Sequence, residues 1–418
     1  MGEKCVNTYV FIYFKSVFGG AETLIMRKAK WLREKGHFAV VITTFGPMVE
    51  KYKAVGAHVL CVDSSFLNIE KSSMINMFEF QNLIAELIND LQKFNNIVVI
   101  EGIDTSSGLV ATWLSQLLGT RLLIGILHPS IFYELMKNYL NIWDKHNCIY
   151  SINFACYNEH ELALGIRFSN KNIVPVGIDF EDRNNELRKG SIDLTNGCKI
   201  LTIARLDREK LYIQGLIESF DNIERAYPGS ELTIIGDGPC RKFLEKVANK
   251  SKYKQSIKFI GLVNPEELRK YYLGCHIYVG MGTTALYGAA YFKPTIIAYI
   301  DGGKNESPGF FSDLPDDSFG ERIEGQRTYK FDDLVLALCE ENQRYEQVAA
   351  NCYTRVINTY GIDAVMRKWL DLINQPINIW DGKIVAKLNF NAEEAIKRNL
   401  RYSVKKYWHL LVQKYKKN

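Results

Sequence analysis

Short apolar runs alternate with segments of helical periodicity along most of the chain, and the clearest example lies near its middle. Lys199–Ile203 and Glu231–Ile235 are apolar runs of strand length. Between them, Leu211–Tyr227 places apolar residues at near-helical spacing. A strand, a helix and a second strand in this order predict parallel neighbours in one sheet.

The same alternation covers both halves of the chain. The first half predicts strands at Thr8–Phe14, Ala39–Thr44, His58–Val62, Ile97–Ile100 and Arg121–Leu127, and helices at Ala21–Lys35, Met77–Gln92 and Gly108–Leu118. The second half adds strands at Ile257–Ile260, His276–Val279 and Thr295–Tyr299, and helices at Cys240–Asn249, Pro265–Leu273, Thr284–Phe292, Phe331–Glu340, Asn342–Thr359 and Ile362–Leu372. A length of 418 residues then favours two α/β domains, each with a parallel sheet.

Composition narrows the class of protein further. Apolar residues make up 47% of the chain, which is enough for two cores, and no long apolar run predicts a transmembrane helix. The first residues contain no apolar signal core, and the nine cysteines form no C-x-x-C pair. We therefore expect a cytoplasmic protein with reduced thiols, without a zinc site or a disulfide framework.

The net charge of +5 is concentrated at the C-terminal end. Residues 391–418 hold eight Lys or Arg side chains against Glu393 and Glu394, so the rest of the chain is close to neutral and is not expected to bind nucleic acid. Apolar residues in this tail recur on one helical face, at Ile396, Leu400, Val404, Tyr407 and Leu411. Such a basic amphipathic helix fits an anionic membrane surface or a partner protein; the alternative is that it packs on the protein's own surface.

Two cations, Arg205 and Lys210, stand where the strand Lys199–Ile203 gives way to the next helix. Loops at the carboxyl ends of parallel strands bind ligands in α/β sheets, and helix N-termini favour anions. The pattern indicates a phosphate site. The alternative is a pair of solvated charges on a loop.

Three ordered motifs favour the phosphate site. RLDREK begins at Arg205, IGDGP begins at Ile235, and FIGLV occupies Phe259–Val263. Together they resemble the C-terminal domain of retaining GT-B glycosyltransferases of family 4. The stretch FGGAETLIMRKAKWLREKGH, which begins at Phe18, resembles the N-terminal domain of the same family. The resemblance covers nearly the whole chain and implies an α/β fold of two Rossmann-like domains whose parallel sheets face an interdomain cleft.

The resemblance also suggests domain limits. The segment Ile173–Phe180 is similar to the segment that closes the first domain of the family, and a polar stretch follows it. The expected parts are an N-terminal domain at 1–180, a linker at 181–197, a C-terminal nucleotide-sugar domain at 198–360, a return helix at about 361–375 that completes the first domain, and the basic tail at 376–418.

The family assigns roles to residues that this sequence contains. Arg205 and Lys210 would hold the diphosphate of a nucleotide-sugar. His128, at the end of a predicted strand, would lie close to the anomeric carbon; otherwise it is a structural residue. Gly19 and Gly20 would allow close backbone approach to the donor phosphate or the acceptor, although glycines also make tight turns without any ligand. The remaining donor-site residues that the resemblance implies are Leu262, Gly282, Thr283, Thr284 and Tyr287.

One family motif is altered here. Its two donor-site glutamates, separated by seven residues, fall on Val279 and Tyr287. In the family the first contacts sugar hydroxyls and the second contacts the ribose. Hydrogen bonds to charged groups contribute about 1.5–3 kcal/mol each, so losing both would weaken donor binding or slow transfer severely. The candidates to compensate are the backbone N–H groups of Gly282 to Thr284, the Tyr287 hydroxyl and Glu306.

Other carboxylates offer weaker signals. Glu101 and Asp104 follow the predicted strand Ile97–Ile100, where they would contact an acceptor hydroxyl or remain solvated loop residues. Asp316 and Asp317 lie in a loop rich in Gly, Pro and Asp and are interpreted as ordinary acidic residues. No metal site and no cofactor are expected.

The resemblance implies a glycosyltransferase that moves a sugar, with retention and without a metal, from a UDP- or GDP-sugar to a glycan or lipid-linked acceptor. The expected setting is bacterial surface polysaccharide synthesis, in the cytoplasm or at the inner face of the membrane. The missing glutamates keep a second hypothesis open, a non-catalytic glycosyltransferase-like subunit that stabilises or targets a partner transferase.

Overall fold

The computed structural model describes residues 6–63, 77–128, 137–180, 193–300, 305–315, 320–322 and 325–375. These residues form two compact units. Unit 1 contains the described residues up to Pro175 together with those from Met366 onward, and unit 2 contains those from Val176 to Val365. Most of the expected linker at 181–197 and the whole tail at 376–418 lie outside the described residues.

Unit 1 is an α/β unit built on a parallel sheet. Its strands are β1 (Thr8–Tyr13), β2 (Phe38–Thr43), β3 (His58–Cys61), β4 (Ile97–Ile103), β5 (Arg121–Ile126), β6 (Ile149–Ser151) and β7 (Asn172–Ile173). Its helices are α1 (Gly20–Glu34), α2 (Met48–Ala54), α3 (Met77–Leu91), α4 (Asp104–Leu118), α5 (Lys137–Lys145) and α6 (Phe154–Leu164). The strands pair in the order β3-β2-β1-β4-β5-β6-β7. Every residue of β1 and β5 is buried, as expected for parallel strands covered on both faces.

Unit 2 repeats this architecture with a shorter sheet. Its strands are β8 (Lys199–Ile203), β9 (Glu231–Ile235), β10 (Ile257–Gly261), β11 (Ile277–Gly280), β12 (Thr295–Ile297) and β13 (Gly309–Phe310). Its helices are α7 (Tyr212–Ala226), α8 (Arg241–Ala248), α9 (Leu268–Gly274), α10 (Gly282–Ala290), α11 (Phe331–Cys339) and α12 (Asn342–Arg355). The strand order is β10-β9-β8-β11-β12-β13, and β13 runs antiparallel at the edge.

The expectation of two parallel-sheet α/β domains is confirmed, and β8 and β9 have the predicted limits. The structure differs from the prediction at the end of β4, next to the candidate site of unit 1. The strand predicted at Ile97–Ile100 continues through Glu101 to Ile103, and the helix predicted from Gly108 begins at Asp104. A charged residue normally ends an apolar run, but the Glu101 carboxylate is paired inside the unit, so the strand continues past it.

Helix α13 (Ile362–Asn374) is held at each end by hydrogen bonds to backbone groups. At its start, the N–H of Ile362 donates to the carbonyl oxygen of Ile178 at 2.9 Å, within unit 2. At its end, the guanidinium of Arg121 donates to the carbonyl oxygens of Leu372 (3.2 Å) and Gln375 (3.0 Å), within unit 1. Leu372 lies in the last turn of α13 and Gln375 follows the helix directly, so Arg121 donates to carbonyl groups at the helix end, where intrahelical donors run out.

A fully buried polar cluster fastens the end of α13 to the sheet of unit 1. The Lys28 ammonium lies 2.9 Å and 3.0 Å from the two carboxylate oxygens of Glu101. The Tyr150 hydroxyl donates to one of these oxygens at 2.5 Å, and the indole N–H of Trp369 donates to the other at 2.7 Å. The ammonium also lies 4.7 Å from the centre of the Trp369 ring. Both charges are therefore satisfied despite complete burial.

We expect the stability of unit 2 to fall in mildly acidic solution because of His276. Its Nδ1 accepts a hydrogen bond from the backbone N–H of Lys199 at 3.1 Å, which requires an unprotonated nitrogen. Burial, with the charges of Lys293 and Lys199, lowers the pKa of His276 from 6.5 to about 4. The stabilisation is present above pH 6.5 and is lost as the pH falls toward 4. Urea unfolding followed by circular dichroism between pH 7.5 and 4.5 measures this slope.

His276→Asn keeps an acceptor near the Nδ1 position without a titrating ring, so it should flatten the slope. His58→Asn, at an exposed position on β3, should leave the slope as in the wild type. Equal slopes in all three proteins would contradict the assignment to His276.

Candidate functional site

The topology of each sheet locates a ligand crevice. In unit 2 the strand order reverses between β8 and β11, and in unit 1 it reverses between β1 and β4. Open α/β sheets bind ligands outside the carboxyl ends of the strands at such switch points. The loop that carries Arg205 and Lys210 follows β8, and the loop that carries Gly282 follows β11. The expected phosphate residues therefore flank the switch point of unit 2.

Asp207 organises the loop after β8. Its side chain accepts a hydrogen bond from the backbone N–H of Glu209 at 3.1 Å and so caps the 3₁₀ turn Arg208–Lys210. The same carboxylate forms an ion pair with Nε of Arg205. The turn leads directly into α7. One aspartate thus holds both the guanidinium of Arg205 and the turn that carries Lys210.

The two cations of this loop differ in their surroundings. The Arg205 side chain is 73% exposed, and its hydrogen bond to Asp207 raises its pKa. Partial burial lowers the pKa of Lys210, and the nearby charge of Arg205 lowers it further, whereas Glu209 and Asp207 raise it. An anion bound between the two cations would remove their mutual repulsion. The loop can therefore receive a phosphate group.

Two glycines of the IGDGP motif allow the loop after β9 to pack closely against the loop after β8. Gly236 has φ +131°, and a Cβ there would lie 1.9 Å from the carbonyl oxygen of Ala204. Gly238 has φ +156°, and a Cβ there would lie 2.5 Å from the carbonyl oxygen of Leu206. The N–H of Leu206 donates to the carbonyl oxygen of Asp237 at 2.9 Å. The motif thus supports the backbone on both sides of Arg205.

Gly236→Ala is expected to destabilise unit 2 and to displace the Arg205 loop. The left-handed φ costs a non-glycine residue about 1–3 kcal/mol, and the clash with Ala204 adds to that loss. Urea unfolding followed by circular dichroism measures the effect. Gly274→Ala is the matched control, because its Cβ would meet no atom within 4 Å. Similar stabilities for the two variants would contradict the close packing described here.

The N-terminus of α10 is tied to the end of β8. The Thr284 hydroxyl donates to the carbonyl oxygen of Ile203 at 3.0 Å, two residues before Arg205. Gly282 has φ +62° and follows the extended residue Met281, so the chain turns sharply into the helix. The first-turn N–H groups, including that of Thr283, have no partner within the helix. They lie at the same sheet edge as the Arg205 loop and offer donors to an anion.

Tyr278 supports this junction from inside unit 2. Its ring is fully buried, and its hydroxyl lies 3.3 Å from the carbonyl oxygen of Ile203. A Cβ at Gly280 would lie 2.8 Å from that hydroxyl oxygen, and a Cβ at Gly288 would lie 2.6 Å from the ring. Both glycines therefore make room for the tyrosine, which sets the spacing between β8, β11 and α10.

The altered donor motif has no carboxylate at either position. Val279 is fully buried in β11 and pairs with Ile296 of β12. Tyr287 is half-buried on α10, with its ring 6.4 Å from that of Tyr272. Glu306, a candidate to compensate for the missing glutamates, forms an ion pair with Arg322 at 2.6 Å. A donor sugar would therefore depend on backbone N–H groups and hydroxyls in this part of unit 2.

Leu262 lies just after β10 and is 82% exposed, so its side chain contributes nothing to the core. Gly261, directly before it, has φ +84° and sends the chain away from the sheet. The expected donor contact at Leu262 is compatible with this exposure and stays a prediction.

In unit 1, Gly19 and Gly20 differ in their surroundings. A Cβ at Gly19 would lie 2.5 Å from a carboxylate oxygen of Glu22, a buried residue in the first turn of α1. That carboxylate accepts hydrogen bonds from the backbone N–H groups of Val17 and of Glu22 itself, and burial raises its pKa. A Cβ at Gly20 would meet nothing within 4 Å. Gly19 leaves room for the inward-turned Glu22 carboxylate, whereas Gly20 leaves open space in which a ligand can approach.

The other expected residues of unit 1 do not all stand together. Asp104 lies at the switch point, with φ +71°, and its carboxylate accepts a hydrogen bond from the N–H of Ser107 at 3.1 Å. His128 is exposed two residues after β5. The expectation that Glu101 lies in a loop is wrong. It lies within β4, where its carboxylate is fully buried and paired with Lys28, so it is not accessible to an acceptor hydroxyl.

Sequence reasoning missed three residues that shape the site, Asp207, Tyr278 and Glu22. Asp207 had a usable signal, because aspartate side chains in loops often accept a hydrogen bond from the backbone N–H two residues further on and so cap a turn. For Tyr278 and Glu22 the only sequence signal was a nearby glycine. Glycine is also common in ordinary loops, so this signal does not indicate a buried side chain beside it. Among the described residues, no group of three or more His, Cys, Asp or Glu side chains could hold a metal ion. Asp316 and Asp317 lie outside the described residues.

Comparison with known proteins agrees with this architecture. The family described as glycosyl transferases group 1 matches residues 184–303. The chain is 32% identical over 107 residues to the alpha-monoglucosyldiacylglycerol synthase of Acholeplasma laidlawii, over 24% of this chain and 27% of that relative. It is 20% identical over 324 residues to the alpha-monoglucosyldiacylglycerol synthase of Streptococcus pneumoniae, over 69% of this chain and 68% of that relative. The match thus spans only about a quarter of the length of the first relative.

Among solved structures, a glycosyltransferase from Rickettsia africae superposes with a TM-score of 0.66 at 16% identity, over 88% of this chain and 98% of that one. At this identity the likeness concerns the fold. In the part of the chain that the structure describes, no helix combines the length and hydropathy needed to span a membrane. Residues 184–303 therefore match the glycosyl transferases group 1 model, and the chain has the GT-B fold.

Proposed function

We propose that this protein is a retaining glycosyltransferase that moves a sugar from a UDP- or GDP-sugar to a lipid acceptor, a diacyl glycerolipid in particular. The observation that carries the proposal is the edge of unit 2 at its switch point. There, Arg205 and Lys210 share one loop, in which Asp207 pairs with Arg205 and caps the turn that carries Lys210. The hydrogen bond from Thr284 to Ile203 holds the N-terminus of α10 against the same strand end. Two cations and a set of backbone N–H groups at one sheet edge suit a diphosphate.

The chemistry follows from where charge develops. As the sugar leaves, negative charge grows on the diphosphate, and preorganised cations and N–H groups lower the energy of that state. Arg205 is pre-oriented by Asp207, so little reorganisation is required. We propose that the leaving phosphate itself accepts the proton of the acceptor hydroxyl, and that His128 helps to orient the anomeric carbon. This route uses no metal ion.

The lipid acceptor is supported by the relatives, both of which are named as synthases of a glucosylated diacylglycerol. They favour glycolipid synthesis over the surface polysaccharide role that was also expected. A glycolipid synthase would work at the cytoplasmic face of a membrane. Asp104, with its strained backbone at the switch point of unit 1, is the carboxylate we propose for the acceptor hydroxyl.

The second candidate is a non-catalytic subunit that supports a partner transferase. The specific observation in its favour is the absence of a carboxylate at Val279 and Tyr287, together with the pairing of Glu306 to Arg322. Such a subunit would still bind a nucleotide through the Arg205 loop but would not turn a donor over.

Nucleotide release from a panel of UDP-, GDP-, ADP- and dTDP-sugars tests the proposal. Each donor is assayed with dioleoylglycerol vesicles, with monoglucosyl-dioleoylglycerol vesicles and with no acceptor, and the anomeric configuration of any product is read by NMR. We expect one donor to turn over with a lipid acceptor and to give an α-linked product from an α-linked donor. An inverted product would exclude retention, and nucleotide binding without turnover would favour the subunit. If no nucleotide binds at all, both candidates fail.

A further inference from the structure

Three large apolar side chains stand exposed on two loops of unit 1. Val17 and Phe18 lie between β1 and α1 and are 57% and 70% exposed. Phe45 lies between β2 and α2 and is 77% exposed. We call these three residues the apolar lip. Single exposed apolar residues are ordinary, but two exposed phenylalanines and a valine on neighbouring loops are not.

The two loops are held together by their backbones. Gly46 packs so closely that a Cβ there would lie 2.4 Å from the carbonyl oxygen of Ser16. The Thr43 hydroxyl donates to the carbonyl oxygen of Lys15 at 3.1 Å. The inward-turned carboxylate of Glu22 binds the N–H of Val17. The lip is therefore a projection that packing and hydrogen bonds hold in place at the carboxyl edge of the sheet, next to the open space over Gly20.

The charge beside the lip is positive. Lys15 is exposed, with its ammonium 5.8 Å from the ring centre of Tyr13. Of the acidic residues in the helix turns that follow the two loops, Glu22 is buried, and Glu50 is exposed and paired with Lys53 at 2.9 Å. Aromatic side chains next to a cation match the interface of a bilayer, where rings enter the headgroup region and the cation meets anionic headgroups.

We propose that the apolar lip inserts into the surface of a lipid bilayer and brings the acceptor lipid to the switch point of unit 1. The inference rests on the proposed function for the identity of the acceptor, but the insertion is a property of these loops. It is separate from the basic tail at 391–418, which the sequence offered as a membrane contact. Exposed apolar groups at the ligand edge of the sheet would place the lipid headgroup beside Gly20 and Asp104.

The first test is binding of the full chain to vesicles of phosphatidylcholine and phosphatidylglycerol, without any nucleotide-sugar. We compare the wild type with the double variant Phe18→Ser/Phe45→Ser, and with Leu162→Ser as the matched control. Leu162 is 81% exposed near the end of α6, away from the carboxyl ends of the strands. Removing two inserted rings should weaken binding on the order of tenfold or more, and the control should bind as the wild type does.

Because the tail could hold the chain on vesicles by itself, a local measurement accompanies the first. Phe18→Trp and Leu162→Trp each add one indole to the six native ones, and brominated lipids quench indoles that enter the bilayer. We expect extra quenching for Phe18→Trp only. Equal quenching of the two variants would overturn the proposal, whatever the binding strength.

Activity separates failure of the lip from failure of the proposed function. If the double variant transfers sugar to a short-chain, monomeric diacylglycerol as the wild type does but is slow on vesicles, the lip serves membrane delivery. If wild type and double variant are equally active on vesicles, the proposed insertion of the lip is wrong, whereas the proposed transferase function is supported. If neither is active on any acceptor, the proposed function fails and the quenching measurement still decides insertion.

Discussion

Replacing Arg205 and Lys210 together with alanine should lower the rate of nucleotide release about a thousandfold or more. Removing one preorganised group that stabilises developing charge typically costs about 10²–10³ in kcat, and here both cations of the loop are lost. Asp207 contacts both parts of this loop, because it pairs with Arg205 and caps the turn that carries Lys210, so the effects of the two substitutions should not be independent. Each single variant is therefore expected to lose a large part of the activity.

Arg208→Ala is the matched control for that experiment. Arg208 lies on the same 3₁₀ turn and is exposed, and it has no assigned contact with the donor. Its removal lowers the charge of the loop by the same amount as either single variant. If Arg208→Ala were as inactive as Arg205→Ala, general electrostatic attraction, and not placement of a diphosphate, would explain the result. A double variant that keeps more than a tenth of the activity would contradict the phosphate site.

Asp207→Asn refines the same test. An asparagine can still cap the turn through its side-chain oxygen, but it no longer forms an ion pair with Arg205. We expect the protein to fold normally and activity to fall about tenfold, because Arg205 loses the group that pre-orients it. Circular dichroism confirms folding, and nucleotide release measures the effect. Unchanged activity would mean that the incoming donor alone orients Arg205.

Lys28→Ala should destabilise unit 1 by about 3–5 kcal/mol, because it leaves the Glu101 carboxylate buried without its cation. The remaining partners of that carboxylate, Tyr150 and Trp369, donate hydrogen bonds but bring no charge. Tryptophan fluorescence during urea unfolding is a suitable measurement. None of the six tryptophans lies within unit 2, so the signal reports on the rest of the chain, where Trp369 sits in the cluster.

Two controls frame this prediction. Lys53→Ala removes an exposed ion pair with Glu50 on α2 and should leave the stability close to that of the wild type. The double variant Lys28→Met/Glu101→Gln removes both charges and keeps hydrogen-bonding groups for Tyr150 and Trp369. It should be more stable than Lys28→Ala, because no uncompensated charge stays buried. A double variant less stable than the single one would show that packing, and not charge burial, dominates at this position.

Much of the fold could be predicted because parallel strands in α/β proteins are continuous apolar runs. The runs at β8 and β9 are bounded by polar residues, and both strands were predicted to the residue. Residues between 137 and 173 gave no usable pattern, and α5, β6, α6 and β7 were not predicted. The strand β6 has three residues and β7 has two, too few to show any period. Helix α6 starts at the Asn153 cap but has no clear apolar face.

The candidate site, like the fold, could be predicted from the sequence only in part. Arg205, Lys210 and the IGDGP glycines were identified from the sequence because their roles depend on loops that directly follow apolar strands. The role of Tyr278 could not be found, because its hydroxyl meets Ile203, which lies 75 positions away in the chain. The Thr284 hydroxyl donates to the same carbonyl oxygen, a contact that the sequence did not indicate, and the expected role of the Thr284 backbone N–H at the donor stays a prediction.

The sequence by itself determined the two α/β units with parallel sheets, most of their strands, and the pair of cations on the loop after β8, since local apolar patterns and short motifs carry that information. Only the tertiary structure decided where the carboxylates that follow Ile100 lie. Glu101 and Asp104 look alike in the sequence, yet Glu101 is neutralised by Lys28, 73 positions away, while Asp104 lies at the switch point. Pairing between distant residues depends on how helices cover the sheet, and no local pattern records it.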